Sequence, residues 1–201
     1  MKINPEPKLA PPGAGLPLPE LWIARALFRW RLWTGNREVF NAKFQEERRV
    51  IRALSEKCDA KTGSQRVLIS RPPGLEDSSR YWSVWMTLDH LRIIHQSMIR
   101  IIRRLSLGEL MPGQASTAAV KPNPEVTIAV VDPYEKSCDD LLATVADIRD
   151  LNTQSRYTHP WFGSLNASGW HAMSASHIGI HRVQIERILA GLPAVQERIP
   201  A

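Results

Sequence analysis

Apolar residues recur at helical spacing along five segments of the chain, and stretches rich in glycine and proline separate these segments. The clearest segment is 81–107, where apolar side chains repeat at alternating intervals of four and three positions. This repeat is the signature of a helix that buries one face. The pattern as a whole predicts five helices, from Glu20 to near Gly35 and over about 37–57, 81–107, 133–151 and 167–190.

Capping residues mark several of the predicted helix ends. Asn36 and Asn166 are of the type whose side chains accept hydrogen bonds from the first free amides of a helix. Asp132 followed by Pro133 predicts another helix start, because a proline in the first turn removes an amide that has no partner there. The Gly35–Asn36 pair leaves open whether the first two helices are separate or form one bent helix.

The predicted helices amount to an all-α fold, a four-helix bundle with an extra N-terminal helix and long loops. Residues 1–19 are rich in proline and are expected to form an extended arm, and residues 20–195 are expected to form one helical-bundle domain. Short strand-like runs occur within the loops at Arg66–Ile69 and Val126–Val131. Loops of this length usually have a role, such as covering a pocket.

Composition and charge narrow the classes of function. The chain has 201 residues, 43% of them hydrophobic, which suffices for one domain with a sizeable core. Its two cysteines, Cys58 and Cys138, form no CxxC motif, so we expect a cytoplasmic protein rather than a secreted disulfide scaffold. The net charge of +6 is spread in short basic pairs among acids, a pattern that does not predict nucleic-acid binding.

The first predicted helix mixes tryptophans with arginines, and this mixture raises membrane-surface binding as an alternative. Over residues 22–33 the apolar side chains are scattered around the helix axis and the charges form no clean opposite face. Packing on the bundle is therefore favoured over binding to a membrane surface. The charges within Leu16–Trp33 also exclude a membrane-spanning helix.

Three histidines are the strongest candidates for chemistry. His177 and His181 lie four residues apart on the apolar stripe of the last helix, together with Trp170 and Gln184. This spacing places two side chains roughly 5–6 Å apart at Cβ, from which two imidazoles can bind one metal ion. Without a shared partner, two imidazoles on an apolar face are costly to desolvate. His90, on the inward side of the helix over 81–107, is the candidate for a third ligand.

Other residues near this stripe have more than one interpretation. Gln184 could hold a bound water, orient a ligand or simply pack in the core. His95 is interpreted as a hydrogen-bonded core residue, and His159 as part of a pocket rim or an anchor of its turn. His171 projects away from the metal stripe, which favours exposure to solvent. Cys138 falls on an inward helical face and is interpreted as a packed thiol rather than a nucleophile.

Two sequence regions resemble a known family. The stretch His159-Pro-Trp-Phe-Gly-x-Leu165, followed by Trp170 and His177-x-x-x-His181-x-x-Gln184, is similar to the last helix of the DinB-like, or YfiT-like, metalloenzymes. The similarity is strongest to the branch with an H-P-x-F-G-x-L stretch before that helix. Trp82-Ser-Val-Trp85, which leads to Leu88-Asp-His90-Leu91, resembles the second helix of the same family. The proline-rich arm, the long loops and Ile178-Gly-Ile180 depart from the family pattern.

The resemblance implies a four-helix bundle, often dimeric, in which His90, His177 and His181 hold a divalent ion such as zinc, nickel or iron. It implies a small-molecule substrate, with a low-molecular-weight thiol as one candidate, and it does not imply DNA binding. The main hypothesis is a metal-dependent enzyme whose histidine site activates a thiol or a water for transfer or hydrolysis. The alternative is a non-catalytic helical bundle that binds a partner or a membrane surface through residues 1–35.

Overall fold

Four long helices pack side by side in the computed structural model, which describes residues 6–192. The helices of the described chain are α1 Leu18–Thr34, α2 Arg37–Ser55, α3 Ala60–Ser64, α4 Val84–Ser106, α5 Val131–Asp147 and α6 Ala167–Gly191. Helices α2, α4, α5 and α6 form the bundle, in which α6 packs on α2 and α4, and α4 also packs on α5. The all-α four-helix bundle with an extra N-terminal helix is confirmed.

Side-chain caps begin three of the bundle helices. The Asn36 side chain accepts a hydrogen bond from the Val39 amide, and the Asn166 side chain accepts one from the Gly169 amide, so both predicted caps are confirmed. Gly35 separates α1 from α2, and a Cβ at Gly35 would lie 2.3 Å from the Phe40 ring. The first two helices are therefore separate.

The core lies along the inward faces of α4 and α6, the two helices with most neighbours in the bundle. Leu88, Leu91 and Ile102 of α4 and Ile178 and Ile185 of α6 are fully buried. Burial of this kind is the main stabilising term, since truncating one such side chain to alanine typically costs about 2–5 kcal/mol. The two helices that carry the candidate histidines are thus held in a fixed relative position.

Two short antiparallel ladders join loop segments to the helix starts. Strand β1, Val67–Leu68, pairs with β2, Tyr81–Trp82, and β3, Tyr157–His159, pairs with β4, Gly163–Leu165. The strand-like run at Arg66–Ile69 is therefore confirmed. The helix predicted from residue 81 begins instead at Val84, because residues 81 and 82 belong to the ladder and Ser83 caps the helix.

The run Val126–Val131 is not extended, so this prediction is wrong. Residues Ile128–Val130 form a 3-10 turn that leads directly into α5. Helix α5 therefore starts at Val131, before the Asp132–Pro133 pair, and no side chain caps it. A short apolar run does not by itself distinguish an extended from a helical conformation, and here it forms the 3-10 turn that leads into the helix.

The N-terminal segment and α1 pack over one side of the bundle. The amide of Ala10 donates to Asp77, the amide of Gly13 donates to Glu76, and Leu16 is buried. The predicted arm (1–19) and bundle domain (20–195) both extend beyond the described chain, at residues 1–5 and 193–195. Helix α1 begins at Leu18, two residues inside the predicted arm.

Helix α1 has apolar residues on two faces, and only one of them is buried. Phe28 is buried and its ring lies 4.7 Å from that of Phe162, centroid to centroid. The outward face instead exposes Trp22, Trp30 and Trp33. This two-sided distribution explains why its apolar residues are scattered around the helix axis. None of the helices within residues 6–192 has the length and apolar character that crossing a membrane requires.

Candidate metal centre

The side chains of His90, His177 and His181 meet between α4 and α6. The Nε2 atom of His177 lies 3.4 Å from that of His90 and 3.2 Å from that of His181. One ligand nitrogen from each of the three lies within 4.8 Å of the other two. Two nitrogens bound to one zinc ion at 2.0–2.1 Å in tetrahedral geometry would lie roughly 3.3 Å apart. The two separations that involve His177 match that value.

Hydrogen bonds on the outer side of two of these rings fix where their protons lie. The Nδ1–H of His90 donates to the carbonyl of Val120 at 2.6 Å. The Nδ1–H of His181 donates to the amide oxygen of Gln184 at 2.6 Å, and the Gln184 amide nitrogen donates to the carbonyl of Ser79 at 2.7 Å. Both rings therefore direct an unprotonated Nε2 inward. Such outer hydrogen bonds orient metal-binding histidines and raise their basicity.

Burial keeps the three imidazoles neutral, which is the form that binds a metal ion. Burial and the adjacent His181 hold the pKa of His90 and that of His177 well below the ordinary value. Burial lowers the pKa of His181 to about 4. Three neutral rings face one another, and His177 can donate a proton to only one of its two neighbours. At least one inward-facing nitrogen therefore accepts no hydrogen bond, and a cation at the centre would be bound by all three nitrogens.

Loops before and after α4 enclose the cluster. The indole of Trp82 stacks nearly parallel to His181, with centroids 6.2 Å apart, and lies 5.1 Å from the ring of His90. The Lys121 ammonium lies 5.4 Å from the Trp82 ring centroid and donates to the buried carboxylate of Glu76. An ammonium group paired with its own carboxylate adds little net charge to the cluster.

A cavity of about 790 Å³ adjoins the histidine cluster, and all three histidines contribute to its walls. It is bordered by α1, α2, α4, α6 and the loops that follow α3, α4 and α5. Gln114, Thr117 and Lys121, from the loop between α4 and α5, line one part of it. The long loops therefore do cover a pocket, as their length predicted.

Trp170 and His159 also line this cavity. Trp170 is buried, stacks on Tyr157 and donates its indole N–H to the Tyr157 carbonyl at 3.3 Å. The Nδ1 of His159 accepts a hydrogen bond from the Trp161 amide at 3.1 Å, which anchors the turn between β3 and β4. Burial lowers the pKa of His159 to about 4. Both residues thus belong to the pocket wall rather than to the histidine cluster.

His95 lies away from the cavity, in the core between α4 and α5. Its Nδ1 lies 3.0 Å from the Ser137 hydroxyl and 3.7 Å from the Cys138 sulfur. Burial lowers the pKa of His95 to about 3 and raises that of Cys138 to about 12. A thiol with so high a pKa carries almost no thiolate at neutral pH, so Cys138 acts as a packed hydrophobic residue.

The expected exposure of His171 to solvent is wrong. His171 is 1% exposed, and its Nε2 lies 2.9 Å from the amide oxygen of Asn41. Its ring also packs edge-on against Phe40 of α2. Because α6 packs on both α2 and α4, the direction that points away from the metal stripe leads to a second helix interface and not to solvent.

Sequence reasoning missed the groups that hold the histidines in place. Two of them, the carbonyls of Val120 and Ser79, are backbone atoms on irregular loops, so no residue type marks them. The ion pair of the half-buried Lys121 with the buried Glu76 was also missed, although its loops were expected to cover a pocket. The sequence marks the aromatic run around Trp82 only through its resemblance to the family, and the contact of Trp82 with the histidine rings is an additional finding.

Comparisons with known proteins identify the fold and the family of this chain. A family model described as the DinB superfamily matches residues 29–185. Among solved structures the chain is similar to TT2238, described as a four-helix bundle protein, with a TM-score of 0.54 and 21% sequence identity. That alignment covers 75% of this chain and 98% of TT2238. At this identity the likeness shows the fold alone, and no curated protein gives a significant match to the chain.

Proposed function

This chain belongs to the DinB superfamily, and from that premise we propose that it is a metal-dependent enzyme. His90, His177 and His181 would hold one divalent ion, and a water or a thiol bound there would be easier to deprotonate for hydrolysis or group transfer. The observation that carries the proposal is the convergence of three Nε2 atoms from two helices, with the rings of His90 and His181 held by hydrogen bonds on their outer nitrogens.

A divalent ion with three imidazole ligands keeps an open coordination position and acts as a Lewis acid, which makes a bound water or thiol easier to deprotonate. The chain's own residues provide the rest of the site. Gln184 and the Val120 carbonyl orient two ligands, and Trp82 covers their rings. Zinc, nickel and iron(II) all accept imidazole, so the ligand set is compatible with each of them.

The substrate is a small molecule that occupies the cavity next to the histidines. The volume of about 790 Å³ lies within the usual range of small-molecule sites. A low-molecular-weight thiol is the first co-substrate to screen, because a thiol would give the ion a good ligand and would become a thiolate nucleophile on binding.

The decisive experiment is elemental analysis of the purified protein and of His177→Ala. We expect close to one divalent ion per chain in the wild type and a large loss in the variant. His171→Ala is the matched control, because it removes another buried imidazole from the same helix without touching the cluster. Metal content in His177→Ala equal to that of the wild type would refute the proposal.

A second candidate function rests on the outward face of α1. Trp22, Trp30 and Trp33 are each more than 60% exposed there, which is unusual for tryptophan in a protein that has no partner for that face. A non-catalytic bundle that binds a partner or a membrane surface through this helix would account for them. Replacing Trp30 and Trp33 with serine should then abolish flotation with anionic vesicles, whereas a wild-type protein that stays in the soluble fraction excludes the membrane.

A further inference from the structure

An apolar stripe of α4 continues the cavity wall away from the histidine cluster. Ile94, Met98 and Ile101 follow His90 at intervals of four, four and three residues, and all of them line the cavity. At a rise of 1.5 Å per residue, the stripe from His90 to Ile101 is roughly 16 Å long. The cavity is therefore elongated along α4, with imidazoles at one end and hydrocarbon beyond them.

The walls that face this stripe are also largely apolar. Helix α6 contributes Met173 and Trp170, and helix α1 contributes Ile23, Leu27 and Phe28. Further apolar side chains come from the connecting segments, namely Leu16, Leu75, Met111, Trp161 and Phe162. A polar ligand body placed among these groups would lose its hydrogen bonds to water without replacement, which is costly.

The acidic side chains on the cavity wall have partners within the protein. Glu20 pairs with Arg71, Glu47 pairs with Arg182 and with Lys43, and Glu76 pairs with Lys121. Two of the basic groups on the wall are likewise engaged, Arg31 by the Ser176 hydroxyl and Arg104 by Glu109. A ligand therefore has no buried acidic group to neutralise along the apolar part of the wall.

We propose that the cavity binds an elongated, mainly apolar small molecule, an amphiphile whose hydrocarbon part lies along the stripe of Ile94, Met98 and Ile101. Its polar end meets the Nε2 atoms of the histidine cluster. The position of the polar end rests on the proposed function, whereas the hydrocarbon site stands on the shape and lining of the cavity alone.

Straight-chain carboxylic acids from hexanoic to tetradecanoic acid, and the matching alcohols, test this proposal. Their affinities are measured on the full-length, zinc-loaded protein by displacement of an environment-sensitive fluorophore. Burial of one methylene contributes about 0.8 kcal/mol, so each added carbon should tighten binding about fourfold until the chain exceeds the stripe. Affinity that does not rise with chain length in the wild type would overturn the proposal.

Two variants localise the hydrocarbon part. Ile94→Gln places an amide in the middle of the stripe at a half-buried position, and Ile23→Gln places one on the part of the cavity wall formed by α1, at an exposed position where folding is not at risk. Both substitutions should reduce the gain in affinity per added methylene at least twofold. Leu107→Gln is the control, because Leu107 follows α4, is exposed and lies outside the cavity wall. Equal chain-length dependence in all three variants and the wild type would show that the ligand binds elsewhere.

The two ligand series separate this inference from the proposed function. If both are correct, zinc-loaded protein prefers each acid to its matching alcohol by a constant factor, and removing zinc abolishes that factor. If the chain-length dependence persists but zinc makes no difference, the apolar site stands and the metal assignment fails. A zinc-dependent preference without chain-length dependence supports the metal site and overturns the apolar site.

Discussion

Replacing Gln184 with methionine tests whether the hydrogen bonds behind the histidine cluster support metal binding. Gln184 is fully buried on α6, with its amide oxygen 2.6 Å from His181 Nδ1 and its amide nitrogen 2.7 Å from the Ser79 carbonyl. Because a carbonyl can only accept, the amide nitrogen must face Ser79, and the oxygen then faces His181. Methionine has a similar length and fills the same space without either hydrogen bond.

The loss of these two hydrogen bonds should affect both the metal affinity and the free energy of unfolding. Loss of a hydrogen bond that orients a metal ligand typically costs 10–100-fold in metal affinity, or about 1.4–2.7 kcal/mol. The change also leaves the His181 N–H and the Ser79 carbonyl buried without partners, at about 1–3 kcal/mol each in the free energy of unfolding. We therefore expect Gln184→Met to weaken zinc binding by at least tenfold and to destabilise the metal-free protein.

A control must separate these two effects, and the structure provides one. Asn41 accepts from His171 at 2.9 Å on the other side of α6, so Asn41→Leu also breaks a bond between an amide and a buried imidazole. Zinc affinity is measured by competition with a chromophoric chelator, and stability is measured by urea unfolding of the metal-free protein. Asn41→Leu should lower stability and leave zinc affinity unchanged. Wild-type zinc affinity in Gln184→Met, or an equal loss in Asn41→Leu, would refute the reasoning.

Two further predictions concern stability. Burial lowers the pKa of His171 from 6.5 to about 4. Between these values the unfolded state binds more protons than the folded state, so stability decreases as the pH is lowered. His171→Gln should therefore lose about 2 kcal/mol less stability than the wild type between about pH 7 and pH 5, and an equal loss in urea unfolding would contradict the assignment. At Gly63 a Cβ would lie 2.1 Å from the Trp85 ring, so Gly63→Ala should lower the melting temperature by several degrees. Ser64→Ala is its exposed control, and an unchanged melting temperature in Gly63→Ala would show that α3 can move aside.

The long periodic segments could be predicted from the sequence because each one buries a single face. The apolar repeat of α4 and the Asn166 cap of α6 place His90, His177 and His181 on inward faces, and those faces meet in the structure. The DinB resemblance selected the same three residues. The branch of the family, the substrate class and the oligomeric state were expectations from that resemblance, and they stay predictions.

The parts that could not be predicted depend on contacts distant in sequence. His171 is buried because α6 has two neighbouring helices, a fact that the periodicity of one helix does not contain. The carbonyl partners of His90 and His181 lie on loops whose path is set by tertiary packing. The start of α5 at Val131 shows the same limit, because a short apolar run is compatible with both extended and helical turns.

The segment from Ala10 to Leu16 and helix α1 lie over one side of the cavity, and this has a consequence for access to the site. The Ala10 amide donates to Asp77 across 67 positions, and Arg25 of α1 donates to the Trp161 carbonyl across 136 positions. Within residues 10–34 only Leu16 and Phe28 are buried, whereas α4 and α6 share a large buried core. Segments with few buried contacts open at a lower free energy than the core, so the N-terminal segment and α1 are expected to detach before the bundle unfolds. The three imidazoles would stay together during such an opening, and a metal ion or a ligand would then enter the site from that side.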